Sequence, residues 1–527
     1  MKRRDFLRAS AAGGAAALGA STIWTKRAEA VPFGEIPDKH ASSMLPESAR
    51  AESVLECFMY GGLTTWETFY CVPEFGQATD TWAWAHRAQM IAAVNGATRC
   101  NYGIPEEELF TPFANDSSGR TIYLGPYLKP LFERPDVMNR MRIVVNRHVL
   151  SPHEAAIPLA ASGRSLGNPA LAGLGTHVGR YFVDRDTNAS HPPPFSYGFA
   201  TGDRFIPNDG ILSVVAQGHH PGQARPLLVK VDAIARLQTL LARTKVGSLD
   251  QRKNFDDLMG LYFQQYQSRL KFGSQEEMVR ASKFNELLQA QTTVTKSPDI
   301  ESVLDPELLV PYGGTACSQT NAGAAGAVNT GNQIAFGNLP DMSLGLATPL
   351  FNHPQYPAKF ATVVDVGLRQ ADGGGGYDTH SEAPITQSRN LNNFLTSLLK
   401  RIKKPEEAAD PTKIDLDKTM VVFNMEFGRA PGRQNNGGGR NHWPFGYVQI
   451  YFGGPIGPDQ KGIYGQIEES GQAKIFTTPA ENRIATLLAM GIWPFDAAAY
   501  SSSDIQGQNE EGAAARNVIK RILGHEV

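Results

Sequence analysis

Five short apolar runs punctuate the chain, each closed by glycine or polar residues. They are SVLECFMYGG (53–62), RMRIVVNRHVL (140–150), FATVVDVG (360–367), KTMVVFNMEFG (418–428) and YVQIYFGG (447–454). Near-continuous Val, Ile, Met and aromatic residues at this length predict strands buried on both faces. Helical patterns lie between them. In ITQSRNLNNFLTSLLKRI (385–402), Leu391, Phe394, Leu395, Leu398 and Leu399 recur on one face. EAAIPLAASG (154–163) predicts a helix despite Pro158, because Ala and Leu dominate it. This alternation predicts an α/β fold on a mostly parallel sheet, residues 31–527 forming one domain.

Two segments read as insertions. Residues 249–291 have the pattern of two charged amphipathic helices, either a solvated hairpin packed on the core or a lid. Residues 312–340 are a long loop rich in Gly, Ala and Asn.

The first thirty residues stand apart. Arg3 and Arg4 precede Phe6 and Leu7, a weakly apolar Ala/Gly stretch follows, and Ala28-Glu29-Ala30 fits a cleavage site. This predicts a twin-arginine signal peptide over 1–30, read by the export machinery, and a periplasmic or secreted product. The apolar stretch is too short for a stable transmembrane anchor. Its removal takes away six basic and two acidic residues, leaving about −6 in place of −2. Nothing in that balance points to nucleic acid. The cysteines Cys57, Cys71, Cys100 and Cys317 form no C-x-x-C pair, which argues against a zinc knuckle. A disulfide stays open in an oxidising compartment, with Cys57 reading as a buried thiol.

In a parallel sheet, ligands bind beyond the carboxyl ends of the strands. The first run delivers Thr64, Thr65 and Glu67 there, and the second His148, Ser151, His153 and Glu154. The third delivers Asp378 and His380 across a tract of glycines. The fourth delivers Glu426 and Arg429, and the loop after it Arg440, Asn441 and His442. Carboxylates and imidazoles recurring after successive strands are what a divalent-metal site needs, with zinc, manganese and calcium all open. Arg429 and Arg440 are candidates to hold an anion, or to pair with a neighbouring carboxylate.

GGYDTHSEA, VVFNMEFGRAPG, GGRNHWP and TTPAENRIATLLAMGIWP follow one another in this order. The set resembles an exported bacterial family of unknown function placed in the alkaline phosphatase and sulfatase-like superfamily. That resemblance implies an α/β/α sandwich with a metal site at the strand ends. It implies Glu67, Asp378, His380, Glu426 and His442 as metal ligands. Glu67 stands where many relatives have Asp, and Asn441 replaces the usual Asp of the family's GRDHW. Sulfatases carry a Cys or Ser ten residues before a glycine that Gly163 matches; here His153 stands there. His153 and Arg429 are then the expected catalytic residues, with Arg440, Thr64 and Ser151 contacting a small-molecule or polymer ester. The resulting expectation is a metal-dependent hydrolase of phosphate or sulfate esters. Its alternative is a non-catalytic envelope or polymer-binding protein that keeps the fold. No dinucleotide fingerprint or haem motif supports a redox role.

Overall fold

The computed structural model describes residues 33–76, 84, 87–95, 102–166, 172–185, 195–201, 226–231, 254, 257–258, 261, 339–366, 376–381 and 383–527. The expected signal peptide and the insertions at 249–291 and 312–340 lie almost wholly outside them.

Eight strands form the main sheet: β1 (Ser53–Met59), β4 (Met141–Asn146), β5 (Ser196–Thr201), β6 (Leu227–Val231), β7 (Phe360–Asp365), β8 (Thr419–Asn424), β11 (Tyr447–Phe452) and β12 (Gly462–Tyr464). Three small ribbons complete the set: β2 (Thr111–Asn115) with β3 (Thr121–Leu124), β9 (Gly428–Arg429) with β10 (His442–Trp443), and β13 (Gln466–Ile467) with β14 (Ala473–Ile475). The main sheet runs β12-β4-β11-β8-β1-β7-β5-β6. Every neighbouring pair is parallel except those of β11, which runs against both β4 and β8. The protein is thus a mixed α/β chain on a large, mostly parallel sheet. All five predicted strands are present; β5, β6 and β12 join them.

The central strands are largely apolar because both faces are covered; the buried Glu56 of β1 is paired with Arg483. Along β8, Val421 and Phe423 enter one core while Met420 and Val422 enter the other. Helix Ala383–Lys400 brings Leu391, Phe394, Leu395, Leu398 and Leu399 to the first core, as its spacing predicted. Helix Pro479–Ala489 brings Ile484, Leu487 and Leu488 to the second. Its start is set by Thr478, whose hydroxyl accepts from Glu481 N–H while the Glu481 carboxylate accepts from Thr478 N–H.

Helix His153–Ser162 begins after Pro152 and ends at Gly163, which takes the left-handed conformation at φ 71°. Pro158 is inside it, where it cannot donate to the carbonyl of Glu154, an exposed residue. Cys57 and Cys71 are buried, unbridged thiols; Cys100 and Cys317 lie outside the described residues. Among the described residues no helix is long and apolar enough to cross a membrane.

The reversal of β11 decides where His442 sits. The strands around it deliver their loops after their last residue. β11 receives its loop before its first, so the segment carrying His442 enters at the edge where β1, β4, β7 and β8 end.

Candidate metal centre

Five chain segments meet at that edge. Beyond β1 the backbone turns at Gly61, φ 97°, where a Cβ would stand 2.1 Å from the amide nitrogen of Asp378. Only glycine permits that approach, and Tyr377 N–H donates to the Tyr60 carbonyl beside it at 2.6 Å. The buried Gln387 side chain donates to the carbonyls of Gly62 and Tyr377 and accepts from Thr64 N–H. From the other side Gly439 packs on the His380 carbonyl, which a Cβ would meet at 1.7 Å. The β9–β10 ribbon pairs His442 with Arg429. Asp378, His380 and His442 are thereby fixed by backbone contacts before any ligand arrives.

Three imidazoles converge on Asp378. His380 Nε2 lies 3.0 Å and His442 Nε2 3.2 Å from Oδ1, and His153 Nε2 lies 3.4 Å from Oδ2. The opposite nitrogen of each ring is tied back. His153 Nδ1–H donates to Glu426 Oε1 at 3.0 Å, and His442 Nδ1–H to the Ser151 carbonyl at 2.9 Å. His380 Nδ1–H donates to Gln434 Oε1 at 3.1 Å. A ring whose Nδ1 carries the proton presents an Nε2 lone pair, the form that binds metal. Phe427 stacks on His442 at 4.4 Å between centroids and also touches His153 at 5.0 Å.

Glu426 stands behind His153. Its side chain is wholly buried, and Oε1 also accepts from Gly61 N–H at 2.7 Å. Oε2 is buried without a hydrogen-bond partner, as is Nε2 of His153. His148 holds the same strand exit, donating from Nε2 to the Glu426 carbonyl at 2.6 Å and accepting from Leu150 N–H at Nδ1.

The charges follow from this packing. Burial opposes ionisation of Asp378, but the imidazoles of His153, His380 and His442 facing it and the Arg429 charge outweigh it and hold the carboxyl far below its usual range. Burial would also lower His153, yet Asp378 and Glu426 raise it to about 9. The bond to Asp378 raises His380. Burial, with the charges of Arg429 and His153, lowers His442. Burial lowers His148 to about 4, keeping it neutral.

The remaining candidates sit elsewhere or serve otherwise. Glu67 is wholly buried, accepting from Thr64 Oγ1–H and from Arg440 at 2.7 Å each. Arg440 also donates to the carbonyls of Ala430, Pro431 and Trp84. Arg429 is buried too, donating to Asp378, the Gly61 carbonyl and the Arg440 carbonyl. Of the two alternatives open to these arginines, pairing with a neighbouring carboxylate is the arrangement observed. Ser151 meets His442 through its main-chain carbonyl, and Asn441 accepts from the His442 amide. The aromatic neighbours Tyr60 and Phe427 carried no signal beyond ordinary strand-end residues.

His153, Asp378 and His442 form a group able to hold one metal ion, their donor atoms all within 4.8 Å of one another. Ligand bonds of ~2 Å around a tetrahedral ion place donor atoms ~3.3 Å apart, the spacing found from Asp378 to each ring. The described site therefore fits a cation. It is a carboxylate–imidazole cluster at the edge of a mostly parallel sheet where β1, β4, β7 and β8 end. Residues 360–492, which include Asp378, His380, Glu426, Arg429, Arg440 and His442, match a protein family of unknown function, DUF1501. No curated protein and no solved structure matches the chain.

Proposed function

We propose that this chain is a metal-dependent hydrolase of phosphate or sulfate esters with an alkaline-phosphatase-like fold, exported to the periplasm by the twin-arginine route. The convergence of three Nε2 atoms on one carboxylate, each ring held from behind, carries the reading. His153, Asp378 and His442 would hold the cation, with His380 beside them. A bound cation supplies Lewis acidity toward an ester oxygen.

The chain's own residues do the rest. Glu426 takes the hydrogen bond from His153 Nδ1 and fixes that ring's tautomer; the Ser151 carbonyl and Gln434 do the same for His442 and His380. Arg429 partly neutralises Asp378 and so limits the negative charge an anionic substrate meets. His153, expected as an acid or base, is better placed as a ligand, its Nε2 aimed at Asp378 and its Nδ1 spent on Glu426.

One observation favours the non-catalytic alternative: Arg429 and Arg440 are buried and committed to internal partners, so neither is placed to clamp an anion. Assay of the metal-loaded protein on aryl phosphates and aryl sulfates separates the readings. Turnover abolished by chelation and restored by metal supports the hydrolase; full metal occupancy with no turnover on either class supports the binding protein. For export, replacing Arg3 and Arg4 by lysine should leave precursor in the cytoplasm, and unchanged export would remove the assignment.

A further inference from the structure

Tyr60 follows β1 directly and has no role in the cluster so far. Its ring stacks on His153, centroids 5.5 Å apart and planes 24° apart. The main chain is pinned on both sides: Tyr60 N–H donates to the Asp365 carbonyl at 3.1 Å, and the Tyr60 carbonyl accepts from Tyr377. Gly376 lies against that carbonyl so closely that a Cβ there would meet it at 2.2 Å. The residue is therefore held in place as firmly as the cluster.

Its hydroxyl is different. Among the described residues it makes no hydrogen bond, and it is not one of the buried polar atoms shut off from solvent. Burial and the charges of Glu426, Asp378 and Glu154 keep the phenol protonated, and the Arg429 charge acts against them. A phenol beside the cluster with its O–H uncommitted is a neutral donor, placed where the two nearby guanidinium groups are spent elsewhere.

Resting on the hydrolase reading, we propose that the Tyr60 hydroxyl is the substrate-facing donor of the site and hydrogen-bonds a non-bridging oxygen of the phosphate or sulfate group. The ring sets its position by packing on His153, and the O–H reads the oxyanion.

Calorimetric titration of inorganic phosphate into the full chain loaded with zinc tests this, comparing wild type with Tyr60→Phe. The Phe variant keeps the ring, so zinc content and thermal stability should match wild type. Phosphate binding should weaken about 3- to 10-fold, the loss of one hydrogen bond. Equal phosphate affinity in the two proteins, both zinc-loaded, would overturn the proposal and leave the hydrolase reading intact. Wild type that holds zinc but ignores phosphate would overturn the proposal together with the phosphate-ester reading. Wild type that holds no zinc would overturn both at the level of the metal site.

Discussion

Nε2 of His380 and Nε2 of His442 lie 3.2 Å apart, while the other nitrogen of each ring donates to Gln434 and Ser151. Two lone pairs at that separation repel unless something positive lies between them. In the metal-free protein a proton on His380, shared with Asp378, answers this, and His380 is raised accordingly. A divalent cation answers it for all three rings and releases those protons.

That exchange gives a pH signature. His153 is raised to about 9 in the fold, against ~6.5 when unfolded. Its charged contacts therefore stabilise the metal-free protein fully below ~6.5 and are lost as pH rises toward 9. Metal needs the unprotonated ring, so its binding strengthens over the same window. The rise in melting temperature on adding zinc should grow from pH 6.5 to 9, measured against a chelated control. A rise that stays flat or shrinks would contradict the assignment of His153 as a ligand.

Ser151→Ala should be nearly silent, because Ser151 reaches His442 through a carbonyl that alanine keeps. His442→Ala removes a donor atom. Changes behind a ligand already cost roughly 10- to 100-fold in affinity or activity, and loss of the ligand itself should cost at least that. Ester hydrolysis and metal content measured on both variants check the contrast. A Ser151→Ala protein that retains metal but loses activity would restore a covalent serine route.

Glu67→Ala should destabilise the fold without emptying the metal site. Both members of the Glu67–Arg440 pair are wholly buried, and removing one strands the other charge, at a cost of about 3–5 kcal/mol. Urea unfolding should show the loss, while metal per folded chain stays at the wild-type value. Reduced metal content in folded Glu67→Ala would return Glu67 to the ligand set.

Much of the site was readable because three of its four side chains, Asp378, His380 and His442, stand just after a short glycine-rich tract, while His153, in SPHEAA, carries no such mark. The direction of β11 was not readable, since an apolar run has the same pattern in either sense. Nor were the partners of Arg429 and Arg440: sequence shows a charge, but Glu67 lies 373 positions from Arg440 and only the fold joins them. The strand β5 hid behind the glycine of SYGFAT, and β6 and β12 are too short to declare a period. Tyr60 and Phe427 look like ordinary core aromatics until the imidazoles beside them are placed.

The most direct measurement is elemental analysis of the protein purified without a metal-affinity tag, beside Asp378→Ala. Among the described residues, Asp378 is the carboxylate that all three imidazoles face. Wild type should carry close to one divalent ion per chain, and Asp378→Ala should lose it while remaining folded. Wild type that takes up no zinc, manganese or calcium after equilibration, or an Asp378→Ala protein with undiminished metal, would contradict the metal centre.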